Sequence, residues 1–164
     1  MRSRSSLSAA LLLALAACAP ATPAPMAEAP VDQAAIKAEL DVVRAAYAQA
    51  EMAGDAAAVA GMYVEDGAID FYGAPPMRGR AAIQAGMGQL YSTGKFEVVE
   101  IVGEVTRARI ATAATETGTY HNAQRVNGKL THAWGRWASG AVKDSTGWKV
   151  TYLIGFPDST KTDK

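Results

Sequence analysis

Apolar residues recur at helical spacing through the first part of the chain. A helix is predicted between Asp32, a suitable N-cap, and Gly54, a residue that commonly ends helices. Its buried stripe repeats at i, i+4, i+7 and i+11, at Ile36, Leu40, Val43 and Tyr47. One face of this helix is therefore expected to pack on the rest of the domain.

Two shorter helices are predicted to follow. Asp55 can cap the second helix, whose inner face would carry Val59, Met62 and Tyr63. Residues 65–67 predict a turn, residues 68–72 a short strand and residues 73–77 a loop. The third helix is predicted over residues 80–91, with an apolar side made by Ile83, Met87, Leu90 and Tyr91.

From residue 96 the pattern changes to that of strands. They are predicted over residues 96–107, 110–124, 129–142 and 148–156, followed by a frayed polar tail over 158–164. Asn127-Gly128 predicts a two-residue hairpin turn, which would place His121 opposite Trp134 and His132 opposite Ala123. Glycines inside the strands, at 103, 118 and 135, are typical of a bent sheet.

Helices followed by an antiparallel meander predict the α+β class. About three N-terminal helices would pack on one face of a curved, mostly antiparallel sheet and enclose a pocket. No internal repeat or second domain is evident in the sequence. The domain is expected to span residues 32–157.

Composition excludes some functions without selecting one. The chain is 49% hydrophobic and 20% charged, as expected for a globular domain. Without Arg2 and Arg4, 14 basic residues remain against 16 acidic ones. A nucleic-acid partner is not expected because no basic excess supports one.

The N-terminus predicts export and anchoring. Residues 1–17 combine Arg2 and Arg4 with a short apolar run, as in a signal peptide. The run ends in Leu15-Ala16-Ala17-Cys18, which resembles the lipobox of bacterial lipoproteins, and Cys18 is the single cysteine of the chain. That resemblance implies lipidation of Cys18. An ordinary secretory signal with an incidental cysteine is the alternative.

The segment after the cysteine is predicted to be a tether. Residues 18–31 are rich in Pro and Ala, which favours an extended, semi-rigid linker. The lipoprotein resemblance implies a location in the bacterial cell envelope. Because Ala19 rather than Asp follows the cysteine, it implies the outer membrane facing the periplasm if the host has two membranes.

The order of the domain motifs resembles the nuclear transport factor 2-like superfamily, in particular its SnoaL-like and ketosteroid-isomerase-like members. The resemblance rests on Gly54-Asp55 after a long helix, Met62-Tyr63 before an acidic pair, and a Pro-rich loop into Gly79-Arg80. Gly118-Thr119-Tyr120 and Gly147-Trp148-Lys149-Val150 add to it. The resemblance implies a cone of curved sheet wrapped on helices, a pocket at its wide end and dimers formed through the outer face of the sheet.

The resemblance also implies positions for the chemistry of the steroid isomerases, which use a carboxylate base, a tyrosine and a protonated acid. Tyr47 and Tyr63 stand at the two tyrosine positions of the motif. Phe71 stands where the base is expected, and the third-strand acid position falls near Trp137, in a segment without acids. Isomerase activity by that mechanism is therefore not expected.

Other titratable groups remain candidates for a different chemistry. His121 and His132 lie on neighbouring predicted strands, and Asp70 is one step along the strand from Phe71. Each could be a general base or an ordinary surface residue. The spacing specifies no metal site, and no metal or other cofactor is expected.

Three functions remain open from the sequence. The first is binding of a small, mostly apolar molecule in a pocket lined by Tyr47, Tyr63, Phe71, Met87, Tyr91 and Trp134. The second is a SnoaL-like isomerase, cyclase or hydrolase that uses a His or Asp base. The third is a homodimeric interaction module without a ligand.

Overall fold

The computed structural model describes residues 30–163, in which three helices pack on a six-stranded sheet. The predicted signal peptide, Cys18 and all but the last two tether residues lie outside the described residues. None of the described helices combines the length and hydrophobicity that a membrane span requires. In chain order the elements are α1 (Gln33–Ala53), α2 (Ala56–Gly61), β1 (Tyr63–Phe71), β2 (Met77–Arg78), α3 (Arg80–Thr93), β3 (Lys95–Ile110), β4 (Ala113–Val126), β5 (Lys129–Asp144) and β6 (Gly147–Thr162).

The first helix follows its predicted limits. The Asp32 side chain accepts hydrogen bonds from the backbone N–H groups of Ala34 and Ala35, and Gly54 ends the helix at φ 69°. Ile36, Leu40 and Tyr47 of the predicted stripe are buried. Two charged residues, Arg44 and Glu51, are buried on the same helix.

The second helix is shorter than predicted. It ends at Gly61, and Tyr63, expected on its inner face, begins β1 instead. The cause is pairing with the C-terminal strand, because the Val150 N–H donates to the Met62 carbonyl at 2.9 Å. Residues 65–67, predicted as a turn, lie inside β1 at an irregularity between Tyr63 and Ala68. The predicted loop also contributes Met77 to β2.

The sheet order is β2-β1-β6-β5-β4-β3, with β1 and β6 parallel and the other pairs antiparallel. Asn127 and Gly128 have φ 52° and 80°, as the tight hairpin requires. His121 pairs with Trp134 and Ala123 with His132, so the predicted register is confirmed. The α+β prediction is confirmed as well.

The sheet curves around the helices. The pairing register shifts after Gly103 and before Gly135, two of the predicted bends. Gly118 pairs with Gly103 at the first of these shifts and allows close strand contact, because a Cβ there would lie 1.8 Å from the Val102 carbonyl oxygen. The concave face of the sheet therefore encloses a space against α1.

The polar tail is not frayed at its start. β6 continues to Thr162, and Trp134 pairs with Ser159 and Thr131 with Thr162. Pro157 lies at a point where the pairing has just shifted, between Trp134 and Gly135. Sequence polarity suggested an exposed tail, but the long β5 strand supplies backbone partners for these residues.

Candidate functional site: a concave cavity

A cavity of about 540 Å³ lies between α1 and the concave face of the sheet. Its size is that of pockets that hold small organic molecules. The wall is mostly apolar, with large contributions from Phe71, Phe96, Ile101, Trp137 and Leu153. The Trp137 indole N–H donates to the Thr119 carbonyl at 3.1 Å, which fixes the ring in the wall.

Three tyrosine hydroxyls lie buried at one side of the cavity region. Those of Tyr47, Tyr63 and Tyr91 have no hydrogen-bond partner among the described residues. Burial raises the pKa of each hydroxyl, and the nearby Glu51 carboxylate raises it further. The hydroxyls therefore stay protonated and free to donate or accept one hydrogen bond each.

Glu51 is the unusual acid of the wall. Its side chain lines the cavity and is 5% exposed, yet no hydrogen bond or ion pair reaches its carboxyl group from residues 30–163. Burial raises the pKa of this carboxyl from 4.5 to about 7. Near neutral pH the group can therefore exist in either protonation state.

A second charged group in the wall is fully paired. Arg44 Nη1 donates to Glu116 Oε1 at 2.5 Å, and its Nη2 contacts Asp41. The Thr106 hydroxyl donates to the same Glu116 oxygen at 2.9 Å. Gly103 leaves the space for this guanidinium, because a Cβ there would lie 2.4 Å from Arg44 Cζ. This ion pair connects α1 to β4, and within the described part of the chain no cation compensates Glu51.

Comparison with known proteins places this architecture in a family. The SnoaL-like domain model matches residues 32–154. The chain belongs to the SnoaL-like family. The predicted resemblance is thereby confirmed. A comparison with curated proteins finds no match.

Solved structures agree with the SnoaL-like assignment. A ketosteroid isomerase-like protein from Erwinia carotovora atroseptica matches with TM-score 0.67 and 19% identity, over 74% of this chain and 95% of that one. An NTF2-like protein with a cystatin-like fold from Novosphingobium aromaticivorans matches with TM-score 0.58 and 21% identity, over 73% of this chain and 79% of that one. Hexachlorocyclohexane dehydrochlorinase LinA-type3 from Novosphingobium barchaimii matches with TM-score 0.66 and 11% identity, over 79% of this chain and 91% of that one. At these identities the likeness shows the fold.

The predicted ligand residues of this SnoaL-like domain fall into three groups. Tyr47, Tyr63 and Phe71 line the cavity. Met87 is 0% exposed and packs in the core, with Tyr91 packed against the same core cluster. Trp134 is 37% exposed on the other face of the sheet, where its ring stacks on the two histidines.

The two histidines lie together on the outer face, away from the cavity. His121 Nε2 and His132 Nδ1 are 3.0 Å apart, and the rings are stacked with centroids 5.3 Å apart. His121 Nδ1 lies 3.0 Å from Glu100 Oε2. Within residues 30–163 no group of three or more metal-binding side chains occurs.

Asp70 also lies outside the cavity. It accepts two hydrogen bonds from Arg78, at 2.5 and 2.9 Å, and one from the Tyr152 hydroxyl at 2.6 Å. These donors hold the pKa of the Asp70 carboxyl below its usual value. The group is therefore an ionised, saturated acceptor rather than a free base.

Sequence reasoning missed Arg44, Glu51 and Glu116. A signal was present on α1, because Leu40, Arg44, Tyr47 and Glu51 repeat at i, i+4, i+7 and i+11. Two charges on an otherwise apolar stripe indicate buried charged groups. Glu116 had no such signal, since a Thr-rich strand with alternating polar residues does not reveal which face is buried.

Proposed function

We propose that this SnoaL-like domain binds a small, mostly apolar molecule in the concave cavity, with a polar group of the ligand against Glu51. The observation that carries the proposal is an apolar cavity of about 540 Å³ with a buried carboxyl group that has no partner among the described residues. Buried polar groups are normally hydrogen-bonded. Polar groups that lack hydrogen-bond partners at a cavity wall therefore favour a ligand that supplies those partners.

A matched pair of substitutions on β5 tests the binding. Ser139 lines the cavity, whereas its neighbour Ala138 is outside the set of lining residues and faces the opposite side of the strand. Ser139→Trp should fill the cavity and abolish binding of 1-pyrenemethanol, a neutral apolar probe, whereas Ala138→Trp should leave it intact. Fluorescence anisotropy measures the binding, and circular dichroism verifies folding. Equal binding by both variants would place the probe elsewhere and refute the proposal.

A second candidate is an enzyme in which Glu51 moves a proton. The raised pKa of this carboxyl, about 7, suits a general base near neutral pH, and the Tyr47 and Tyr63 hydroxyls could stabilise a developing oxyanion. This arrangement would replace the His121, His132 or Asp70 base, since those groups lie on the outer face. Exchange of the α-protons of 1-tetralone in D₂O, followed by NMR, tests it. Acceleration over buffer that is lost in Glu51→Gln is expected; no acceleration by the wild type removes this candidate.

We propose further that the domain is tethered to a bacterial envelope membrane through lipid on Cys18, most simply the outer membrane facing the periplasm. The support is the sequence around the single cysteine. Cys18→Ala should move the protein from the membrane to the soluble fraction of cell extracts. Continued membrane retention of this variant would refute lipid anchoring.

The outer face of the sheet supports a proposed homodimer. Trp134, Tyr152 and Phe156 are exposed there by 37%, 37% and 44%. Sedimentation of the purified protein tests the assembly, with a dimer expected. A monomer at all concentrations would remove it without affecting the cavity proposal.

A further inference from the structure

The charges in the cavity wall are unequally matched. Four charged side chains line the cavity: Arg44, Glu51, Glu116 and Lys149. Arg44 and Glu116 neutralise each other at 2.5 Å, and the Lys149 ammonium donates to the Gly61 carbonyl at 3.0 Å. Among residues 30–163, no cation pairs with Glu51. The cavity therefore contains one carboxyl group whose charge the described residues leave uncompensated.

The other free polar atoms of the wall are compatible with a hydrogen-bond donor. Asn122 Oδ1 is buried without a partner in the described structure, and this oxygen can only accept a hydrogen bond. The Tyr47 and Tyr63 hydroxyls can accept as well as donate. A ligand that carries acceptors alone would leave Asn122 and the ionised form of Glu51 unmatched, and an anionic ligand would add repulsion from the Glu51 carboxylate.

Much of the remaining wall is aromatic. Phe71, Phe96, Tyr120, Trp137 and Trp148 line the cavity. The protein's own cations already lie over two of these rings, with Arg44 Cζ 5.9 Å from the Trp137 ring centroid and Lys143 Nζ 5.9 Å from that of Trp148. The preference for a cation therefore depends on Glu51. Since a buried carboxylate is costly without a counter-charge, an ammonium group satisfies the site more completely than a neutral hydroxyl does.

We infer that the cavity selects small apolar molecules that end in a protonated amine, with the ammonium group paired to Glu51. This inference rests on the proposed ligand-binding function and names the ligand class. An aromatic or alicyclic amine of fewer than about twenty heavy atoms fits a cavity of about 540 Å³. The amine would supply the ion-pair partner that Arg44 and Lys149 do not provide.

Three probes of one shape test the inference: 1-pyrenemethylamine, 1-pyrenemethanol and 1-pyrenecarboxylic acid. The full-length chain is made by cell-free synthesis, without lipid, and binding is measured by fluorescence anisotropy at pH 8. This pH lies above the Glu51 pKa of about 7 while the amine stays protonated. The amine should bind at least about tenfold more tightly than the alcohol, since close buried charge pairs contribute this much or more. The acid should bind most weakly.

Variants assign the preference to one carboxyl group. Glu51→Gln should reduce the amine-to-alcohol ratio to within about twofold of unity, and Glu51→Asp should keep most of it. Glu104→Gln, at an exposed carboxylate on the other face of the sheet, should leave the ratio unchanged. Circular dichroism checks that each variant is folded.

The outcomes separate the inference from the function on which it rests. If the alcohol binds in the cavity but the amine has no advantage, or keeps its advantage in Glu51→Gln, the inference is wrong and the binding function stands. If none of the probes binds, or all bind Ser139→Trp as they bind wild type, both are overturned. Tightest binding of the acid would also contradict the inference.

Discussion

The two faces of the sheet differ in how their charged residues are solvated and paired. On the outer face, charged groups are paired in water: Asp70 with Arg78 at 2.5 Å, Arg125 with Glu97 at 2.6 Å, and Arg136 with Asp158 at 2.8 Å. On the concave face Arg44, Glu51 and Glu116 are buried, and one of them, Glu51, has no partner among the described residues. Outer-face pairs gain little from each other because water already solvates them. Inner-face charges have no such alternative, so an unmatched group there points to a ligand.

The largest expected effect comes from breaking the paired charge of the inner face. Arg44→Met should destabilise the domain by about 3–5 kcal/mol, because Glu116 would remain buried without a counter-charge. Urea unfolding followed by circular dichroism measures the loss. The double variant Arg44→Met/Glu116→Gln should recover much of it.

The outer face supplies the control for that experiment. Arg136 is exposed and paired with Asp158, so Arg136→Met should change the unfolding midpoint little. If Arg44→Met and Arg136→Met gave equally small losses, charge pairing would contribute equally little to stability on both faces of the sheet. Failure of Glu116→Gln to rescue Arg44→Met would assign the loss to packing rather than to charge.

Removing the carboxyl group of Glu51 should increase the free energy of unfolding, whereas removing Arg44 should decrease it. The Glu51 pKa rises from 4.5 to about 7 on folding, so the folded state binds more protons between these values. Stability should therefore fall as pH rises from 4.5 through 7 and level off above 7. The shift corresponds to a cost on the order of 3 kcal/mol above that range. Glu51→Gln should remove this cost and be more stable than wild type at pH 8.

Unfolding free energies between pH 4 and pH 8 measure the slope. Glu104→Gln, at an exposed outer carboxylate, should keep the wild-type slope. A Glu51→Gln variant whose stability falls with pH as steeply as that of wild type would mean that Glu51 is not the titrating group.

The sequence predicts the fold well because its strongest signals are local. The α1 stripe, the Gly54 helix end and the Asn127-Gly128 turn each depend on neighbouring residues, and each is confirmed. The end of α2 is wrong because Tyr63 is taken into the sheet by β6, almost ninety positions further along the chain. The local sequence pattern does not show whether Tyr63 continues α2 or pairs with the distant strand β6.

The site is less predictable for the same reason. Trp134, His121 and His132 were chosen for their chemistry, but the parity of their strands places them on the outer face. Alternate residues of a strand face opposite sides of the sheet, and which set faces the cavity depends on the side on which α1 packs. That packing is part of the tertiary structure and is not visible in the local sequence. Glu51 could have been predicted as a site residue from the sequence, because a charged residue on the apolar stripe of a helix is unusual and indicates a buried charge.

Tyrosines of the two faces should respond oppositely to loss of the hydroxyl. The Tyr63 hydroxyl is buried without a partner among residues 30–163, so Tyr63→Phe should stabilise the domain by up to about 1 kcal/mol. The Tyr152 hydroxyl donates to Asp70 at 2.6 Å, so Tyr152→Phe should lower stability slightly. Thermal melts of the two variants compare them directly. A loss in Tyr63→Phe would mean that its hydroxyl is satisfied inside the cavity.

The smallest effect is expected at Asp70, whose pKa is shifted opposite to that of Glu51. Hydrogen bonds from Arg78 and Tyr152 lower the folded pKa of Asp70 below its ordinary 3.8. Its stabilising contribution is therefore present above about pH 4 and is lost as pH falls through the folded value. Asp70→Asn should melt slightly below wild type at pH 7, and this deficit should be smaller at pH 3. Asp66→Asn, at an exposed acid of the same strand, should match wild type at both pH values. If the Asp70→Asn deficit were as large at pH 3 as at pH 7, the outer carboxylate would act through packing, and the contrast in charge between the two faces would rest on Glu51 alone.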